Sequence, residues 1–349
     1  LLSVNFRVKK LNTNILTTLL LISIFYLNGC KKSVSPIESE NEKYEIAFIS
    51  ERDGSREIYL MDEDGSNQRR ITFDQSKITI PIWSPRGDKI LFTINSNIFS
   101  ITKDGLNKNQ LTFDSNTFGP PIWSPDGRKI AFVRTRDDSL ELSIMNNDGT
   151  EKQRLTYDPY FEIDPAWSPD GHRIIFSSRR NANTDIYALS LSNGDLVRLT
   201  YQEGEEYDAR FSNDGQKIAY VSENYGMRSI YIMEADGSNN RLLTSAKNNV
   251  RIPQWSSDDT QIAFCNSAEE TASIAVIDID GLNYHVVADT LGDYIVGFDW
   301  RPQNNKLLFH KKYDDYSIIF SIDSDGRNLK RLTEYGSKNI VPKWSPLPK

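Results

Sequence analysis

Three histidines and two cysteines are the scarcest reactive side chains in this 349-residue chain. Their settings decide which chemistries are open to it. His172 falls in a Pro-Asp-Gly turn, His285 in a segment leading to Val286-Val287, and His310 just after Leu307-Leu308-Phe309. Three unlike settings give no expectation of a convergent site for a metal or a general base. Cys265 follows Ile262-Ala263-Phe264 in an apolar run and reads as a structural, semi-buried thiol. There is no Gly-x-Ser-x-Gly elbow and no glycine-rich phosphate loop. The acidic turns Asp62-Glu63-Asp64-Gly65 and Asp278-Ile279-Asp280-Gly281 carry Leu60 and Val276 where a calcium loop needs an oxygen ligand. A net charge of −7 argues against a nucleic-acid surface. The remaining candidates are acidic clusters rich in aromatics. They are Tyr160-Phe161-Glu162-Ile163-Asp164 and Glu203-Gly204-Glu205-Glu206-Tyr207-Asp208, with Phe118, Asn248, Arg251, Asp293 and Tyr294 at related positions. Tyr beside carboxylates suits a protein segment, a basic peptide or a cation rather than bond-making chemistry.

The elements that position these clusters are written as a repeat. Trp83, Trp123, Trp167, Trp255, Trp300 and Trp344 recur, Phe211 fills the gap, and the spacings are 40, 44, 44, 44, 45 and 44 residues. The fullest copy is Pro121-Ile122-Trp123-Ser124-Pro125-Asp126-Gly127-Arg128-Lys129-Ile130-Ala131-Phe132. Two further landmarks run in phase: an Asp-Gly or Asn-Gly pair, as at Gly65 and Gly194, and an Arg-x-Leu-Thr string or relative, as at Leu155-Thr156. Each unit predicts four short strands: one into Trp, one of the Ile-Ala-Phe type, an alternating third such as Ile58-Tyr59-Leu60-Met61, and a fourth at Arg-x-Leu-Thr. One such sheet cannot bury both faces, so radial stacking into an all-β propeller is expected. The first strand, from Glu45 to Ser50, lacks a Trp strand before it, and the last, Val341 to Trp344, has no partner after it. The C-terminal strand should therefore complete the N-terminal blade of a ring of seven, with six or eight blades as alternatives. The acidic clusters then fall in loops leading to the innermost strands, at the mouth of the central channel.

Residues 1–29 differ from the rest. Arg7, Lys9 and Lys10 precede an apolar run from Ile15 to Leu27, the pattern of a signal peptide. The run ends in Leu27-Asn28-Gly29-Cys30, which resembles a bacterial lipobox and implies cleavage before Cys30 and lipidation of its sulfur. A plain secretory signal or a membrane anchor are the alternatives. Residues 30–43 read as the lipidated cysteine and a flexible tether, and 44–349 as the propeller. Lys31, where Asp would signal inner-membrane retention in enteric bacteria, favours the outer membrane, facing the periplasm.

The Trp-Ser-Pro-Asp-Gly-x-Lys-Ile-Ala-Phe string with its Asp-Gly and Arg-Leu-Thr companions resembles the WD-like repeats of TolB-type propellers. That resemblance implies a non-catalytic module that binds envelope proteins or peptide segments; joined to the lipobox, it gives the expectation of a lipid-anchored propeller, monomeric and without a cofactor. Membrane contact is through the anchor only. The alternative is a carbohydrate-active or ligand-binding propeller that uses its channel mouth. The expected contact residues are Tyr160, Glu162, Asp164, Glu205, Glu206, Tyr207, Asp208, Arg251 and Tyr294.

Overall fold

Each repeat folds as the turn chemistry requires. In the Ser-Pro-Asp-Gly turns, Ser124 Oγ donates to Asp126 Oδ1 (2.6 Å) and accepts from the Lys129 amide (2.9 Å), while Asp126 Oδ1 takes the Arg128 amide (3.0 Å). The same arrangement recurs at Ser168/Asp170 and Ser212/Asp214. Where the second blade has Arg86 in place of the turn Asp, Ser84 Oγ turns to Asp88 instead (2.7 Å). The turn carboxylates are thus bound to their own backbone.

The computed structural model of the chain describes residues 44–346 apart from Ser115 and residues 245–248, 269–270 and 292–296. Among the described residues, 28 strands, β1 to β28 in chain order, form seven four-stranded antiparallel sheets. Six sheets are consecutive in the chain. The seventh is ordered β28-β1-β2-β3, so the C-terminal strand β28 (Asn339–Trp344) pairs with β1 (Glu45–Ser50), as expected from the termini of the repeat. Glu45 and Ser345 tie the joint further: Glu45 N donates to Ser345 Oγ (2.9 Å) and Ser345 N to the Glu45 carbonyl (2.8 Å).

The core lies in the seams between blades. One cluster joins Ala47, Ile49, Ile58 and Leu60 of the first sheet to Trp83, Ile90 and Phe92 of the second. The Trp strands are innermost, and neighbouring ones touch around the ring. Four of the six indoles clasp one blade to the one before it, while those of Trp167 and Trp344 are buried without a hydrogen-bond partner. Trp83 Nε1 donates to the Lys343 carbonyl (3.2 Å), Trp123 to Ile82 (3.3 Å), Trp255 to Arg210 (3.0 Å) and Trp300 to Gln254 (3.1 Å). The acceptor is always the residue just before the preceding blade's aromatic. This confirms the Trp series as core.

The outer strands are held by the Thr landmark. Thr72 Oγ1 accepts the Ile58 amide (2.9 Å) and donates to Glu57 (2.6 Å), while Arg70 reaches the same carboxylate (2.8 Å). Thr156 and Thr200 accept the equivalent amides, beside the pairs Arg154–Glu141 (2.6 Å) and Arg198–Asp185 (2.9 Å). Blade two has Asn97 and Gln110 at the acid and Arg positions, a matched neutral exchange. In blade six Ala288 replaces Thr, and the backbone takes over: β23 (His285–Leu291) runs seven residues against β22 (Thr271–Asp278), where most fourth strands run two or three.

These networks predict unequal costs for one substitution. Thr72→Val leaves both the Ile58 amide and buried Glu57 short of a partner and should lower the unfolding free energy by about 2 kcal/mol. Thr244→Val strands only the Ile230 amide, because Ser229 stands where Glu57 does, and should cost about 1 kcal/mol. Parallel denaturant titrations measure the difference, and equal losses would contradict the network.

Candidate functional site

Strand direction gives the ring two unlike faces. The Ser-Pro-Asp-Gly and Asp-Gly turns emerge on one, the turn face. The hairpins between second and third strands, and the loops that lead into each inner strand, emerge on the other, the loop face. Phe73, Phe113, Tyr157 and Tyr201 follow the Thr landmark in blades one to four and are 69–73% exposed on the loop face. Phe118, Phe161, Tyr225 and Tyr335 lie there too. Tyr284 is the one strongly exposed aromatic among the described residues at the opposite end. Arg70, Arg154 and Arg198 stack on Phe73, Tyr157 and Tyr201 at 4.6, 4.7 and 4.6 Å, so each ring is backed by a cation that is itself paired to a buried acid.

Toward the axis the inner strands share a distortion. Their register shifts between Phe118 and Ile122, Ile163 and Ala166, Tyr207 and Arg210, and Arg251 and Gln254. The bulge needs a residue with positive φ. Gly119 supplies one blade, and Asp164 (φ 53°) and Asp208 (φ 56°) supply two adjacent ones. Asp tolerates this conformation better than most side chains, and bulges re-aim what they carry. The outcome is a carboxylate pair across the boundary between β12 (Glu162–Trp167) and β16 (Glu205–Phe211). Burial, then the charge of Asp208, push the Asp164 carboxyl up to about 6, against the opposing pull of Arg210. Both residues are half-buried, open enough to meet a ligand.

A second polar step sits one residue before the aromatic. Lys343 Nζ meets Asp299 Oδ1 (3.0 Å), Asp299 Oδ2 accepts the Trp344 amide (2.8 Å), and Gln254 Nε2 donates to the Phe298 carbonyl (3.1 Å). Burial raises the Asp299 carboxyl despite Lys343. Sequence reasoning passed over Arg210, Gln254, Asp299 and Lys343. Their signal was present: Ile82, Ile122 and Ala166 hold the same position in other repeats, so a polar residue there is a departure.

The expected contact residues divide. Glu162 and Glu206 are corrected: they are 1% and 0% exposed, sealed in blade seams rather than offered at the mouth. Glu162 bonds Arg180, which also takes Asp158 (3.2 Å) and lies over the Tyr160 and Tyr187 rings. Burial raises Glu162 in spite of Thr156 and Arg180. Glu206 accepts from Ser222 (3.1 Å), and burial with the nearby Asp185 charge pushes it up to about 7. The cause is register: both lie five residues before the aromatic, where the side chain turns to the preceding blade. Glu205 remains accessible, with its carboxylate on the Thr184 amide (3.1 Å). Tyr207 is half-buried; its hydroxyl donates to Glu223 (2.8 Å), which also holds Arg228 (2.7 Å). Arg251 is half-buried on β20 (Asn249–Trp255); Glu223 is lowered chiefly by its bond from Arg228, with the Arg251 charge a minor addition. Tyr294, Asp293, Asn248 and Cys30 lie outside the described residues.

The scarce reactive groups do not converge. Buried His310 is lowered to about 4 by desolvation, and its blade differs from those of His172 and His285. Cys265 is buried, and desolvation pushes its thiol up to about 12, so it is a core residue. Among the described residues no three His, Cys, Asp or Glu side chains are grouped to hold a metal.

Glu206 gives a signed test. Its folded pKa lies above the ordinary value of 4.5, so its contribution is intact below that value and is lost as pH rises toward about 7. Glu206→Gln should stabilise the chain at pH 8 by about 1–3 kcal/mol and leave it nearly unchanged at pH 5. Denaturant midpoints at the two pH values decide; a destabilised variant at pH 8 would place the ionised carboxylate in a favourable site instead.

The profile described as "TolB beta propeller domain" matches residues 112–249 and 218–348. The Tol-Pal system protein TolB of Syntrophotalea carbinolica is 44% identical over 46 residues, 13% of this chain and 11% of that protein. The "Uncharacterized peptidase YuxL" of Bacillus subtilis is 34% identical over 74 residues, 21% and 11% respectively. The matched stretches thus span about a tenth of these relatives' length. Among solved structures, TolB from Acinetobacter baumannii aligns with a TM-score of 0.57 at 20% identity, covering 86% of this chain and 66% of that one. An oligogalacturonate lyase in complex with manganese aligns at 0.65 and 11% identity, covering 84% and 86%. At such identities these likenesses show the propeller fold alone. The family profile covers well over half of the chain, which belongs to the TolB β-propeller family.

Proposed function

We propose that this chain is a non-catalytic binding propeller of the bacterial cell envelope, held by lipid through Cys30 after removal of residues 1–29. It docks a protein segment on the loop face, over the mouth of the channel. The asymmetry of exposed aromatics carries the reading: rings in six blades face one way, and the opposite face offers turn carboxylates already bound to backbone. Aromatics and Arg supply large, preorganised contact area, the pattern of interface anchors. Asp164, Asp208 and Glu205 give the mouth an acidic edge suited to a Lys- or Arg-bearing segment. Family membership and the Tol-Pal name of several relatives support the envelope and a protein partner.

A carbohydrate-active reading rests on the Asp164–Asp208 pair, because a carboxyl raised by burial and by a neighbouring carboxyl group is an arrangement that acid–base catalysis uses. The two readings separate in one variant. Asp164→Asn/Asp208→Asn should weaken recovery of the partner from envelope extracts at least about fivefold, as loss of charge-assisted contacts worth about 1 kcal/mol or more requires. Wild-type turnover on a glycan panel, abolished in that variant, would replace the binding reading with the catalytic one. Unchanged recovery would remove the pair from the docking surface.

A further inference from the structure

Two adjacent seams treat the same pair of buried acids differently. Between the third and fourth blades, Glu141 meets Arg154 (2.6 Å) and Glu162 meets Arg180, so two carboxylates face two guanidinium groups. Between the fourth and fifth, Asp185 meets Arg198 (2.9 Å), but Glu206 has no ion pair among the described residues. Both acids of this second seam are 0% exposed. The missing cation has a definite place. Arg180 stands two residues beyond Ser178 and donates from Nε to its hydroxyl (3.0 Å). Arg52 does the same beyond Ser50 (2.9 Å) and reaches Asn339 (3.2 Å), which holds the position of Glu162 in the first blade. Two residues beyond Ser222 stands Asn224, and the Ser222 hydroxyl donates to Glu206 instead (3.1 Å). The cover over the cation has gone as well. Tyr160, whose ring lies against Arg180, precedes Glu162 by two residues; Gly204 precedes Glu206 by two.

Backbone fills the space that those side chains leave. Gly204 is buried, and a Cβ there would stand 3.2 Å from Glu206 Oε1 and from Ser222 Oγ, and 2.7 Å from the Glu223 carbonyl. Polar contacts hold the loop down. Asn183 Nδ2 donates to the Gln202 and Gly204 carbonyls (2.7 and 2.6 Å), and the Thr184 amide donates to Glu205 Oε2 (3.1 Å). The groups facing Glu206 are Asp185 of β14 (Asp185–Ser190), Arg198 of β15 (Leu196–Arg198) with Thr200 after it, and Tyr220 and Ser222 of β17 (Lys217–Asn224). Arg198 is the one cation in that set, and Asp185 already holds it. Glu206 therefore fits the closed seam as a neutral acid. Its ionisation places a second buried negative charge beneath Gly204 with no guanidinium to take it.

We propose that this seam is a pH-operated latch on residues 202–205: the loop stays packed while Glu206 is protonated and lifts to admit water once it ionises. Tyr201 and Glu205 to Asp208 flank or belong to that loop, so the latch regulates the docking edge; this consequence rests on the loop-face reading, whereas the latch belongs to the chain alone. Burial, with the Asp185 charge, pushes Glu206 up to about 7, so the closed form holds at pH 5 and is lost as pH rises through about 7. Hydrogen exchange of the full chain, corrected for intrinsic rates, tests it without any partner. Two amides report the loop: Glu206 N on the Thr184 carbonyl (2.8 Å), and Thr184 N on Glu205. Their protection should fall at least about tenfold between pH 5 and pH 8, because the open form ionises near the ordinary carboxylate value. Glu206→Gln should keep both amides protected at both pH values. The Arg179 amide, bonded to the Phe161 carbonyl (3.1 Å) at the seam with two guanidinium groups, should be indifferent to pH in both proteins. Equal protection of the wild type at the two pH values, equal loss in Glu206→Gln, or parallel loss at Arg179 would overturn the latch. Any of these results leaves partner recovery as a separate test of the docking face.

Discussion

Ring closure is the constraint on which the rest depends. A single four-stranded sheet of this sequence has two apolar faces, and a stack of such sheets would still expose two. Pairing β28 with β1 removes both ends at once. It also completes the series of indole clasps: the one from Trp83 to Lys343 exists only because the last strand lies beside the first blade. Buried apolar seams, bonded indoles and the Thr-centred networks repeat with small, matched exchanges, such as Asn97 with Gln110 for an acid with Arg.

The same repetition sorts the charges. Ten aspartates among the described residues are spent on turns, where each accepts the amide two residues on; at Asp126, Asp170 and Asp214 the turn Ser hydroxyl and then that amide hold the carboxyl below its usual range. Others, such as Glu57, Glu141 and Asp185, are enclosed with an Arg in the outer half of a blade. Asp164 and Asp208 belong to neither group. They occupy a backbone bulge the ring needs for its own geometry, and the bulge turns that requirement into a half-open carboxylate pair. Function in such a ring is written at positions where the repeat is free to vary without loosening a seam.

The fold was legible because its signals are local and in phase. Turn residues, strand periodicity and the unpaired terminal strands foretold seven sheets and their closure. The candidate site was legible only in outline. The clusters around Tyr160 and Tyr207 do lie on the loop face, but Glu162 and Glu206 turn into the seams while Asp164 and Asp208, two residues on, stay half-buried. Alternation along a strand would separate in from out, yet Asp164 and Glu162 differ by two residues and still part company, because a bulge intervenes. That irregularity has no composition cue apart from Gly119 in one blade. The cation-backed aromatics after Thr were visible as a repeat and their exposure was not, since exposure depends on which way the loop leaves the fourth strand.

The account places partner docking on the loop face, and site-specific photo-crosslinking in cells addresses that most directly. A crosslinker at Tyr157 or Tyr201 on the loop face is compared with one at Leu106 or Leu329 on the turn face, all four being exposed. The account predicts one discrete protein adduct from Tyr157 and Tyr201 and none from Leu106 and Leu329. Adducts from the turn-face positions alone would contradict it.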